Sequence, residues 1–199
     1  MTTDTILYIC IVIYSIILHE IAHGYVAKIC GDRTAEDAGR LTLNPGPHLD
    51  PIGSVILPVT AVLSGFGVFG WAKGVPVNLY NLNGSKIKEF FISVAGIATN
   101  LILATIFLLL IKFSILPEVY SSLLIKAATV NIGLAFFNLL PIPPFDGMSI
   151  LRAFFPSLKH KYQHLEHNPV ALIAIIIIAS FLFSFVYKDI LDFVFGLFF

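Results

Sequence analysis

Four long apolar stretches, separated by polar connections, organise the chain. They cover residues 5–29, 89–113, 122–140 and 169–187. Each approaches or exceeds the roughly 20 residues that a helix needs to cross the hydrocarbon of a bilayer. A fifth stretch, 52–69, is apolar but shorter, and Pro58, Gly65 and Gly67 interrupt it. Polar connections fall at 31–51, 70–88 and 146–168, with a short link at 114–121. Residues 188–199 are too few to span alone and are expected at the interface or as an extension of the preceding helix. The pattern predicts an all-α polytopic membrane protein with about four full transmembrane helices plus a broken re-entrant or surface segment. Short β-strands in the cytoplasmic loops are compatible with it. One membrane-embedded domain is expected over 1–199, with a core at 5–151 and a C-terminal helix and tail at 169–199. No connection has the length of a soluble domain.

Composition supports this pattern. Of 199 residues, 57% are hydrophobic and 12% charged, against about 25% charged in soluble domains. The mean hydropathy is +0.91. These values exclude an ordinary soluble globule, a disordered chain and a coiled coil. Lys+Arg and Asp+Glu number 12 each, so there is no basic surplus to bind nucleic acid. The start, Met1-Thr2-Thr3-Asp4, lacks the basic region of a signal peptide and no small-residue cleavage site follows, so the first stretch is expected to remain as a membrane helix. Cys10 and Cys30 lie 20 residues apart in one predicted helix, about 30 Å at 1.5 Å per residue, which excludes a disulfide between them.

The distribution of basic residues decides how 52–69 runs. If it crosses, six basic residues fall on each side. If it enters and returns, Lys28, Arg33, Arg40, Lys73, Lys86, Lys88, Arg152, Lys159 and Lys161 share one side, leaving Lys112, Lys126 and Lys188 on the other. The positive-inside rule favours the second arrangement. Residues 52–69 are therefore expected to be re-entrant or surface-lying, with the N-terminus outside and the large polar connections cytoplasmic.

Inside the first stretch lies His19-Glu20-Ile21-Ala22-His23. On a helix, positions i and i+4 share one face about a turn apart. Two imidazoles so placed can hold one zinc ion, and the intervening Glu20 can act as general base towards a water. The thirteen residues before it, 6–18, are almost wholly apolar. An acid at the centre of a membrane helix costs on the order of 2.5–3.5 kcal/mol, so ionisable groups at this depth are functional candidates. A helix end reaching the headgroups, with histidines facing water, is the plainer alternative.

A catalytic zinc needs a third protein ligand and an open position. Asp146 is the candidate, at the end of Asn138-Leu139-Leu140-Pro141-Ile142-Pro143-Pro144-Phe145-Asp146-Gly147. The prolines cannot continue a helix, so the third span is expected to unwind before Asp146, beside a tight turn at Gly147. Taken alone, the same run reads as a proline-rich exit loop. The re-entrant topology brings His23 and Asp146 to the same side of the membrane, so charge distribution and metal geometry favour one arrangement.

The pairing of His19-Glu20-x-x-His23 with Asn138-x-x-Pro141-x-Pro143-x-x-Asp146-Gly147 resembles the site-2 protease family of intramembrane zinc metalloproteases, in its compact prokaryotic branch. Gly39-Arg40, Asn44-Pro45 with His48-x-Asp50-Pro51, Phe69-Gly70-Trp71-Ala72-Lys73, and Ala95-Gly96 with Asn100 match in the same order. Ile97 and Gly74 stand where many members carry proline. The resemblance implies one zinc ion per chain, ligated by His19, His23 and Asp146, with Glu20 as base. It implies cleavage of peptide bonds within or beside transmembrane segments of membrane proteins, in regulated intramembrane proteolysis, from a site in the cell membrane that opens towards the cytoplasm. It also implies that Asn138 and Asn100 help to hold substrate backbone.

An opened substrate peptide could pair with an exposed strand edge, for which 52–69 and 70–81 are the candidates. His48 reads as a turn histidine holding its loop. His160, His164 and His167 share helical spacing and read as a polar helix at the headgroups rather than a second metal face. The alternatives in function are a metal or ion transporter, or a catalytically silent membrane chaperone of the same fold. Neither needs Glu20 between the two histidines.

Overall fold

The computed structural model describes residues 3–50, 53, 72–166 and 168–199. The re-entrant expectation for 52–69 therefore lies outside the described residues apart from Gly53, as does His167 of the histidine cluster.

Helix α1 (Thr3–Ile29) runs unbroken through the first apolar stretch. A single turn, α2 (Thr34–Asp37), follows it. Helix α3 (Lys86–Lys112) starts behind Ser85, whose hydroxyl accepts from Lys88 N–H at 3.4 Å, the usual way to satisfy an orphan donor of a first turn. Helix α4 (Ser121–Asn138) ends ahead of the prolines. Residues 139–145 are not helical, and the Pro143–Pro144 peptide is cis. Helix α5 (Asp146–Phe154) begins at the aspartate itself, a segment that the hydropathy pattern assigned to a polar connection. Helix α6 (Ser157–Glu166) leads into α7 (Pro169–Gly196). There Asn168 accepts from Val170 and Ala171 N–H at 3.1 and 3.2 Å, with Pro169 in the first turn. Residues 188–196 extend this helix rather than lying apart from it.

Four helical segments are long and apolar enough to span a membrane: Thr5–Ile29, Lys86–Lys112, Glu118–Asn138 and Pro169–Gly196. Among the described residues there is no strand, so the short strands expected as possible in the loops are not found there. The all-α polytopic class holds.

Small residues let the spans approach. Ala95, Gly96 and Ala104 on α3, with Ala127, Ala128 and Ala135 on α4, are buried, as expected where backbone proximity replaces hydrophobic driving force. One apolar cluster joins Ala104, Leu108, Ala128 and Ile132 to Ile190, Leu191 and Val194 of α7. A second packs Ile176 and Ala179 of α7 on Phe145, Phe137 and Leu140. Large exposed side chains such as Ile102, Ile178, Phe181 and Phe185 face outwards, where lipid would cover them.

The end of α1 meets the start of α3. Lys88 Nζ donates to Cys30 O at 2.7 Å, and Ala27, Leu82 and Ile92 form a buried cluster. At the opposite face Lys112 Nζ donates to Phe198 O at 2.7 Å. The α1–α3 connection thus begins and ends on one face of the bundle, the face that also carries residues 139–146.

Candidate active site

His19 and His23 face α3 from successive turns of α1. At 1.5 Å per residue they sit roughly 15 and 9 Å below the helix end at Ile29. Both are buried. Gly96 makes this possible: a methyl group at its Cα would overlap ring atoms of both histidines. Asp146 reaches the same point from the first turn of α5. Gly147 behind it packs so closely on the end of α4 that any side chain there would collide with the Leu139 carbonyl. The glycine next to the aspartate therefore serves a close backbone approach, not a left-handed turn.

The hydrogen bonds fix what these groups present. His19 Nδ1 lies 2.6 Å from Asn100 Oδ1, and His23 Nδ1 lies 2.6 Å from Ile92 O. Both partners can only accept, so each Nδ1 donates, and in the neutral ring the remaining Nε2 is the nitrogen whose lone pair is available to a metal. The two Nε2 atoms are 3.1 Å apart. Each is 3.2 Å from Asp146 Oδ2. That oxygen is buried without a hydrogen-bond partner. With both rings neutral, three lone-pair donors converge here, an arrangement that repels unless a proton or a metal cation sits among them. Zinc bonds of about 2.0–2.1 Å in tetrahedral geometry imply ligand spacings of roughly 3.3 Å. The donor set fits zinc. Among the described residues these three form the only group of its kind.

Glu20 points away from the histidine pair, into a cavity of about 680 Å³ that His23 and Asp146 also line. Its Oε2 accepts from Val75 N–H at 2.8 Å. Residues 72–78 are neither helix nor, among the described residues, strand, and Gly74, Val75 and Val77 line this cavity. Their backbone is held one group at a time. Arg40 Nη2 donates to Lys73 O, and Lys73 N–H donates to His48 O at 2.9 Å. Asn78 N–H donates to Asp32 Oδ2 at 2.7 Å.

Asp32 is fully buried. Besides Asn78 it accepts from Asn81 Nδ2 at 2.7 Å and from the Thr34 N–H and hydroxyl. Burial pushes its carboxyl up, but bonds from the Thr34 hydroxyl, the Asn81 amide and two backbone N–H groups outweigh this and hold it below the usual carboxylate range. Asp32 was not singled out from the sequence, where 31–51 reads as a polar connection, and Arg40 entered there only as part of the matching pair Gly39-Arg40.

The remaining candidates are placed as follows. Asn100 is fully buried behind His19; its Oδ1 faces that ring and its Nδ2 donates to Asn131 Oδ1 at 2.9 Å. Asn138 Nδ2 donates to Leu134 O of its own helix at 2.8 Å. His48 is buried in its loop, its Nε2 2.9 Å from Thr42 O.

A buried His-His-Asp trio beside a glutamate, among helices fit to span a bilayer, is the arrangement of a membrane zinc metallopeptidase. Comparison with known proteins agrees. The model of peptidase family M50 matches residues 115–183. YwhC of Bacillus subtilis, named as a zinc metalloprotease, is 40% identical over 156 residues, covering 72% of this chain and 67% of the relative. Rip2 of Mycolicibacterium smegmatis, named likewise, is 34% identical over 140 residues, covering 69% of this chain and 52% of the relative. The zinc metalloprotease MJ0392 of Methanocaldococcus jannaschii is 28% identical over 157 residues, 79% of this chain and 36% of that protein. No solved structure matches. The chain belongs to peptidase family M50, the site-2 protease family, and is a multi-pass membrane zinc metalloprotease.

Proposed function

We propose that this chain hydrolyses peptide bonds within or beside transmembrane segments of other membrane proteins, using Glu20 as base and His19, His23 and Asp146 as zinc ligands. The carrying observation is the convergence of His19, His23 and Asp146 at about 3.2 Å, with His23 and Asp146 lining a cavity that Glu20 shares. Zinc, when bound, supplies Lewis acidity that activates water near neutral pH and polarises a carbonyl. Glu20 takes the water proton and returns it to the leaving amine. Val75 N–H holds one carboxylate oxygen, which leaves the other to face the cavity.

A substrate helix hides its amides in internal hydrogen bonds, so it must unwind before attack. The 72–78 segment beside the cavity is the candidate backbone for an opened peptide to pair with, and Asn138 stands near the turn that delivers Asp146. Asn100 acts by orienting His19 rather than by touching substrate, since its side-chain groups already have protein partners. The basic residues at the α1–α3 face support a cell-membrane protein whose site opens to the cytoplasm.

The test is cleavage of single-span peptides carrying Gly-Pro at mid-span, in proteoliposomes. Glu20→Gln should abolish product, a fall of at least a thousandfold, while zinc content stays at one ion per chain. Cleavage unchanged in that variant would remove Glu20 from the role of base.

A further inference from the structure

Each of the three innermost spans carries one polar residue at the same level: Ser15 on α1, Asn100 on α3 and Asn131 on α4. All three are buried. None is free to turn. Asn131 Nδ2 lies 2.9 Å from Ala127 O and 2.9 Å from Ser15 Oγ. A backbone carbonyl can only accept, so the NH₂ end of Asn131 must face Ala127. Its carbonyl end then faces Asn100 at 2.9 Å and requires a donor there. That sets the NH₂ of Asn100 towards Asn131, where it also reaches Ser15 O at 3.5 Å. The oxygen of Asn100 is left facing His19 Nδ1 at 2.6 Å. His19 must then carry a proton at Nδ1, which in the neutral ring leaves Nε2, the nitrogen aimed at His23 and Asp146, free for a metal.

His23 reaches the same state in one step, through the Ile92 carbonyl. His19 Nδ1 is met instead by a side-chain amide, which can present either end. We propose that Asn131 is a positioning residue for the zinc site. It polarises the Asn131–Asn100–His19 chain from the Ala127 carbonyl and so selects the metal-binding tautomer of His19, without contacting zinc, substrate or either histidine. This rests on His19 as a zinc ligand, the reading proposed above.

Two variants of nearly equal shape test it. Asn131→Leu removes the acceptor that orients Asn100, so that the amide can present its NH₂ to His19 and favour the Nε2-protonated ring. Asn131→Asp keeps an acceptor towards Asn100 in either protonation state. With purified full-length protein in detergent, zinc affinity is read by chelator competition. Asn131→Leu should weaken it roughly 10- to 100-fold, as supporting partners of metal ligands do, and Asn131→Asp by no more than about threefold.

Nitrogen-15 imidazole shifts of the zinc-free chain should show His19 protonated at Nδ1 in wild type and in Asn131→Asp, and a tautomer mixture in Asn131→Leu. Equal affinity and an unchanged tautomer in Asn131→Leu would overturn the proposal. So would a tenfold loss in Asn131→Asp, which decides the matter alone if the leucine variant does not fold. A wild-type chain that binds no zinc would sink the ligand assignment, while the tautomer spectrum would still report on the amide chain.

Discussion

The two walls of the cavity are built by different means. The metal wall stands on α1, α3 and α5, whose backbones satisfy themselves, so only side-chain orientation remains to be set. Three hydrogen bonds, from His19 to Asn100, from His23 to Ile92 and from Asn100 to Asn131, accomplish it. The opposite wall, 72–78, belongs to no helix and, among the described residues, to no sheet, and buried groups of Asp32, Arg40 and His48 hold its backbone one by one. A helical wall fails when its packing is violated. A non-helical wall fails when a capping side chain is lost. Glu20 sits between the two, carried by the first and fastened to the second.

The largest effect should come from packing. Gly96→Ala places a methyl group into both imidazoles, and zinc affinity should fall by at least a hundredfold while helical circular dichroism persists; dialysis followed by metal analysis measures it. An intact site in this variant would mean that α1 and α3 can separate, which would blur the distinction between the walls.

A capping loss should look different. Asp32→Ala removes the buried acceptor shared by half-buried Thr34 and Asn78 and by Asn81, at a cost of roughly 2–4 kcal/mol, since hydrogen bonds to charged groups contribute about 1.5–3 kcal/mol each and the freed donors partly regain water. Peptide cleavage should drop at least tenfold with zinc content unchanged. The carboxyl of Asp32 is depressed in the folded chain. Its contribution to stability is therefore full above the ordinary carboxylate pKa and is lost as the pH falls through the depressed one. Acid melting curves of wild type should show this loss, and those of Asp32→Ala should not.

The smallest effect should lie outside both walls. Tyr187 on α7 donates its hydroxyl to Thr129 O at 2.9 Å, beside Gly133. Tyr187→Phe should lower thermal stability by about 1 kcal/mol and leave zinc binding and cleavage as they were.

The metal wall was the more legible of the two in the sequence. Two histidines a helical turn apart, and an aspartate after three prolines, are local patterns whose chemistry follows from spacing. The four spans follow from hydropathy, with ends displaced by a few residues where polar helix turns such as Lys86–Lys88 continue beyond the apolar core. Helix α5 was not foreseen, because its nine residues mix Asp146, Ser149 and Arg152 with apolar positions. Asp32 escaped, and the structural part of Arg40 with it, because burial in a polar connection depends on contacts some 40 residues away along the chain. Asn131 left a usable signal. A lone amide inside an apolar span is expensive unless it has a partner, and Asn100 offered one.

A hydrolytic centre sunk in a bilayer must admit solvent without short-circuiting the ion gradient across it. Beyond Asn131, towards the far face, Ala104 and Leu108 of α3 and Ala128 of α4 pack together with α7 against them. Hydrocarbon at that level sets a barrier to water and ions at the end of the bundle opposite the site.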